Sequence, residues 1–249
     1  MKPKRQKRPG AFVFAVALLR PLLMALTKRT WSGGENLVRD RGCVVVANHI
    51  SYADPLVVAH YLNDNGITPS FLGKVEVFNV PVIGAILKSA RQIPVYRETG
   101  QAADAYRAAV AAVEEGRCVV IYPEATLTRD PDLWPMRGKT GAARIALQTR
   151  CPVVPMVNWG AQAIIGPYAH RPDLLPIKEV VVHAGEPVDL DDLYDRPIMR
   201  DVLQEATDRI MARLTAMLEE VRGETAPTVR FDPRSSGAPT TGNPAKEKK

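Results

Sequence analysis

Two side chains five residues apart, His49 and Asp54, carry the first candidate chemistry in this sequence. Imidazole titrates near neutrality, so a positioned histidine can take a proton from a hydroxyl and later return it. A carboxylate on the other ring nitrogen fixes the tautomer and stabilises the imidazolium that forms. Residues at i and i+5 do not share a face of a regular helix, so the pair meets only if the chain between them turns irregularly. Asp54 also precedes Pro55, the pattern of a helix cap followed by the first helical residue. From spacing alone, the catalytic and capping readings both stand. A second polar segment, from Tyr122 through Arg129, offers Glu124 to orient a donor. It also offers Thr126, Thr128 and backbone amides to hold a phosphate or an oxyanion. A plain polar turn after a strand is the other reading of that segment.

Both segments follow short apolar runs that position them. Residues 43–47, 117–122 and 152–157 are continuous Val- and Ile-rich stretches, with a further run over 179–183. Unbroken apolar strands, rather than alternating ones, suit a sheet covered on both faces. Helical stretches lie between them: 101–115 closing at Gly116, 139–149, and 200–221 closing at Gly223. In the last, Leu203, Ala206, Ile210, Leu214, Met217 and Val221 recur every three or four residues. The alternation predicts an α/β fold with a mixed, mainly parallel central sheet flanked by helices, and a cleft where the strands end.

The N-terminus has its own pattern. Lys2, Lys4, Arg5, Lys7 and Arg8 precede an apolar run over 11–26 that Arg20 and Pro21 interrupt. A membrane span needs about 20 apolar residues with few charges, so the expectation is a helix lying in the interface. Its basic leader is placed to meet anionic headgroups. The predicted organisation is a leader and anchoring helix over 1–30, a domain over 31–225, and a disordered tail over 226–249 rich in Pro, Ser, Thr, Gly and Lys.

Composition narrows the classes further. The 249 residues carry a net charge of +6, which suits an anionic partner. No nucleic-acid motif or aromatic interleaving accompanies that charge. Cys43, Cys118 and Cys151 show neither pairing nor metal spacing and read as buried thiols. The four histidines show no zinc-like clustering, so no metal is expected. Ser51 lacks a G-x-S-x-G elbow, which argues against a serine hydrolase.

Four ordered blocks carry a resemblance. Asn48-His49-x-x-x-x-Asp54 comes first, followed by the block ending at Arg97, then Tyr122-Pro-Glu124-Ala125-Thr126, then Val153-Val-Pro155-Met-Val157. With the lead-in Gly34-Glu-Asn-Leu37, this order resembles the glycerolipid acyltransferase family of the lysophosphatidate acyltransferases. The resemblance implies His49 as general base with Asp54 as its partner. It associates Arg97 and Glu124 with the glycerophosphate acceptor. The family's usual third block reads Pro-Glu-Gly-Thr-Arg; here Ala125 replaces the glycine and Leu127 the arginine. Ala125 disfavours the positive φ that glycine permits. Losing the arginine leaves two readings of that phosphate contact: Arg129, Arg137 or Lys139 substitutes for it, or the acceptor differs from the usual one.

The function implied is transfer of a fatty acyl group from an acyl thioester to lysophosphatidate, giving phosphatidate. The acyl group arrives on coenzyme A or on an acyl-carrier protein, and no further cofactor is implied. The implied partners are an anionic membrane surface, a lysophospholipid acceptor and the thioester donor, at the cytoplasmic face of the cell membrane. The substrate-binding candidates are Lys74, Arg97, Glu124, Ala125, Thr126 and Arg129. The alternatives are the same chemistry on glycerol 3-phosphate or another lysolipid, and a non-catalytic membrane-binding protein that keeps the fold. The apolar run over 75–87 is expected either to line an acyl slot or dip toward the bilayer, or to be ordinary core.

Overall fold

The computed structural model describes residues 9–95, 102–169 and 171–236. A seven-stranded sheet forms the centre. Its strands are β1 (Thr27–Ser32), β2 (Cys43–Ala47), β3 (Pro69–Lys74), β4 (Ile93–Val95), β5 (Cys118–Ile121), β6 (Val153–Trp159) and β7 (Lys178–Ala184). In space they run β1-β7-β6-β2-β5-β3-β4. Every pairing is parallel except β6 with β7, so the sheet is mainly parallel, as the sequence predicts.

Eight α-helices accompany it among the described residues: α1 (Gly10–Leu26), α2 (Asp54–Asp64), α3 (Val75–Phe78), α4 (Ile83–Ser89), α5 (Ala102–Glu114), α6 (Gly141–Thr149), α7 (Ala161–Ile164) and α8 (Arg200–Arg222). Alternate residues of the central strands feed two separate cores. Val44, Val46, Val119, Ile121, Val153 and Val157 pack against α5, α6 and α8. On the other face, Val45, Ala47, Val120, Val154 and Met156 pack against α2 and α7. A strand buried on both faces has no solvated side, which is why these runs carry no polar alternation.

The parallel strands β2, β3, β5 and β6 all end at one edge, and the segments holding His49 and Glu124 leave from that edge. Because β1 and β7 run the opposite way, they begin there, so α1 reaches the sheet at the same edge. Among the described residues no helix is long and apolar enough to cross a membrane. α1 packs on α4, and Arg20 bonds Asp64 at 3.0 Å. Val13, Phe14, Leu18 and Leu22 of α1 stay exposed, as do Val77, Val80, Val82 and Ile83 around α3 and α4. The run over 75–87 is therefore largely surface; of its large apolar side chains Phe78 is buried.

The tail expected to be disordered from Ala226 begins with a packed stretch. The Ala226 amide donates to Glu219, the Arg137 amide to the Phe231 carbonyl, and Arg137 pairs with Asp232. The guanidinium carbon of Arg222 lies 3.9 Å from the Trp134 ring centroid and 4.4 Å from that of Trp159, so the end of α8 is clamped between two indoles. The basic leader over 1–8 and the rest of the tail lie outside the described residues.

Candidate active site

The turn after β2 brings His49 and Asp54 together. His49 Nδ1 lies 2.8 Å from Asp54 Oδ2, and the same oxygen accepts the Ile50 and Ser51 amides at 2.7 and 2.9 Å. Three donors on one oxygen close the loop that five-residue spacing requires. The Asp54 amide returns to the Ser51 carbonyl, and the Ser51 hydroxyl accepts the Ala53 amide. The capping reading does not hold: α2 begins at Asp54, its N-cap Ala53 makes no side-chain cap, and the aspartate bonds backward into the turn. Asp54 is fully buried, while the His49 side chain keeps 16% exposure. Burial pushes the Asp54 carboxyl above its ordinary range, against the lowering pull of His49 and the two amides. With Nδ1 facing a carboxylate, the proton belongs on Nδ1 and the basic lone pair on Nε2.

The residues that hold this turn are mostly absent from the sequence expectations. Tyr122 stacks on the imidazole, centroids 4.1 Å apart and planes 19° off parallel, with Phe71 stacked beyond it. Asn48 and Asn158, both buried, exchange four hydrogen bonds: Asn48 Nδ2 to the Asn158 carbonyl, the Asn158 amide to Asn48 Oδ1, and Asn158 Nδ2 to both the Asn48 carbonyl and Asn48 Oδ1. They lock the ends of β2 and β6 together beside His49. Ser51 Oγ donates to the Ile165 carbonyl at 2.7 Å. The Asn48–Asn158 and Ser51–Ile165 partners lie more than a hundred positions apart in the chain, and no local pattern marks them.

Glu124 has a different environment from the acceptor contact expected of it. It is buried, and its two oxygens accept the backbone amides of His49 at 3.1 Å and Met136 at 2.9 Å. The side chain thus straps the His49 turn to the 130s loop. Burial raises its pKa to about 8 despite those two donors. Ala125 adopts φ +60°, so the alanine occupies a conformation that its Cβ disfavours. The Tyr168 hydroxyl lies beside Thr126 and donates to the Leu127 carbonyl. Leu127 itself is buried. The Arg129 guanidinium lies 5.5 Å from the Tyr168 ring centroid, so Thr126, Arg129 and Tyr168 form one cluster. Of the other candidates to replace the missing arginine, Arg137 pairs with Asp232 and Lys139 is exposed. Lys74 ends β3 opposite Val95 of β4, at the sheet edge from which the His49 turn leaves. Arg97 lies outside the described residues. Among those that are described, no group of three metal-ligating side chains occurs.

The arrangement is a partly exposed histidine, a buried carboxylate behind it, and a basic and hydroxylic cluster beside it. Comparison with known proteins places it in context. The family model described as Acyltransferase matches residues 28–159. The chain is 33% identical over 135 residues to a chloroplastic 1-acyl-sn-glycerol-3-phosphate acyltransferase of Brassica napus, covering 53% of this chain and 38% of that protein. It is 30% identical over 162 residues to the 1-acyl-sn-glycerol-3-phosphate acyltransferase of Bacillus subtilis, covering 58% of this chain and 76% of that one. The solved 1-acyl-sn-glycerophosphate acyltransferase PlsC of Thermotoga maritima superposes with a TM-score of 0.66 over 87% of this chain and 81% of that chain. At 21% identity that likeness speaks for the fold.

Proposed function

This chain belongs to the acyltransferase family, and from that premise we propose that it transfers a fatty acyl group from a thioester to the free hydroxyl of lysophosphatidate. The observation that carries the proposal is the 2.8 Å contact between His49 Nδ1 and Asp54 Oδ2, with the imidazole still partly open to solvent. His49 Nε2 takes the proton from the acceptor hydroxyl as its oxygen attacks the thioester carbonyl. Asp54 stabilises the imidazolium across Nδ1. The tetrahedral intermediate then expels the thiolate, the C–S bond breaks, and Nε2 returns the proton to sulfur. Stacking on Tyr122 favours one ring plane for both transfers.

The acceptor's phosphate is assigned to Arg129 and Thr126, with Lys74, at the end of β3, and Arg97 contributing. Arg129 takes over from the family's arginine because Leu127, at that position, points into the core. Glu124 is assigned to positioning rather than to the acceptor, since backbone amides occupy both its oxygens. We also assign α1 to the membrane interface. Its exposed stripe of Val13, Phe14, Leu18 and Leu22 runs down one side of the helix, and the basic leader precedes it.

The test is to incubate the purified protein with a long-chain acyl-CoA and, in parallel, lysophosphatidate, glycerol 3-phosphate and neutral lysolipids, following product and free thiol. The proposal expects phosphatidate and thiol in equal amounts, with lysophosphatidate preferred. Thiol release without any acylated product, or preference for an uncharged acceptor, contradicts it.

A further inference from the structure

The segment 171–177, Arg-Pro-Asp-Leu-Leu-Pro-Ile, is exposed along its whole length. Leu174 is 38% exposed, Leu175 74% and Ile177 56%. Three large apolar side chains grouped on one loop tip are unlike the single exposed leucines that any surface carries. The tip is braced: Lys178 Nζ bonds Asp173 Oδ2 at 2.9 Å and the Leu175 carbonyl at 3.4 Å, and the Asp173 amide donates to the Ile164 carbonyl at 2.7 Å. Pro172 and Pro176 restrict the chain further. A braced apolar tip loses little entropy on docking.

Its position gives it a use. Lys178 pairs with Thr27 across β7 and β1, so Ile177 and Leu26 leave the sheet side by side. The tip therefore lies beside the C-terminal end of α1. At its other end, Ile164 and Ile165 link it to the catalytic turn, because the Ile165 carbonyl accepts Ser51 Oγ. Charge favours an anionic surface. Arg171 opens the loop exposed. The nearby acids Asp173 and Glu179 are each paired, with Lys178 and Lys28, and five basic residues precede α1 in the sequence.

We propose that residues 171–177 are a second lipid-inserting contact, which together with α1 seats the His49 turn against an anionic bilayer. This rests on the interfacial reading of α1, and the experiment separates the two. Leu18→Cys and Leu175→Cys variants of the full chain are each labelled with an environment-sensitive thiol dye. The three native cysteines are buried, and labelled wild type gives the background. Vesicles of phosphatidylglycerol and phosphatidylethanolamine are added. Blue shifts at both positions support the proposal. A shift at Leu18→Cys alone overturns the loop contact and leaves the α1 reading intact. A shift at Leu175→Cys alone upholds the loop and removes the α1 reading; no shift at either removes both. Equal shifts with pure phosphatidylcholine remove the anionic preference. A shift that grows with protein concentration without vesicles overturns the proposal in favour of a second copy of the chain. As a second measure, Leu175→Ser should lower vesicle partitioning about tenfold with an unchanged melting temperature, and Leu175→Phe should restore it. Unchanged partitioning of Leu175→Ser contradicts the proposal.

Discussion

Replacing Glu124 by glutamine should produce a stability difference that changes sign with pH. Two backbone amides, those of His49 and Met136, donate to separate carboxyl oxygens of Glu124. Glutamine keeps one acceptor oxygen and turns its NH2 toward the other amide. One buried donor then loses its partner, at a cost of about 1–3 kcal/mol. Against this stands the titration of the wild-type carboxyl, which burial raises from 4.5 to about 8. A folded-state value above the unfolded one means that the folded protein binds more protons. Its stability is fully present below about 4.5 and is lost as pH rises to about 8, a total of about 5 kcal/mol. Glu124→Gln has no such loss. At pH 5 the variant should be less stable by about 1–3 kcal/mol, and by pH 8 the wild type should be the less stable of the two. Asp54, also raised, weakens both proteins as pH climbs, and its charge adds to the rise at Glu124. Urea denaturation followed by tryptophan fluorescence from pH 5 to 9 reads both curves. Parallel curves would refute the buried, titrating strap. In acyl transfer, the variant should lose kcat with little change in the KM for acceptor. A rise in KM alone would return Glu124 to the acceptor site.

Asp54→Asn keeps an acceptor for the Ile50 and Ser51 amides but presents no charge to the imidazolium, so kcat should fall roughly 10^3-fold with the fold retained; a loss under tenfold contradicts its role. Asn158→Ala removes the Nδ2 donor to the buried Asn48 carbonyl and Oδ1 while the two bonds to the residue 158 backbone stay, and should cost about 1–3 kcal/mol in chemical denaturation; a cost under 0.5 kcal/mol would refute a part for that side chain in the lock between β2 and β6. Ala125→Gly relieves the +60° φ and should raise stability by about 0.5–1 kcal/mol; a loss of stability in the same measurement would show that the turn is not strained.

The central strands were legible because burial on both faces leaves continuous apolar runs, and β2, β5, β6 and β7 fall within two residues of their expected bounds. β1 was not: Thr27–Ser32 is an edge strand whose alternate residues are polar and exposed. β3 and β4 are short and hold Pro69, Gly73 and Pro94, which read as turn residues. In the site, spacing left the meeting of His49 and Asp54 open and the resemblance favoured it; the turn that brings them together was not legible, because it is built from amides rather than side-chain types. Ala125 was expected to disfavour positive φ, yet the hydrogen bond from its amide to the Tyr122 carbonyl accompanies that conformation. Tyr122 was named in a block without a role, and Asn158 and Tyr168 were not named, because their partnerships are made by topology.

The account turns on His49 as the base, and His49→Ala tests it most directly. Wild type and variant, matched by circular dichroism and thermal melting, are given lysophosphatidate and long-chain acyl-CoA near neutral pH. The predicted result is phosphatidate formation by the wild type and at least a 10^2-fold slower rate in the variant, with lysophosphatidate binding retained. Turnover by His49→Ala at the wild-type rate would contradict the account.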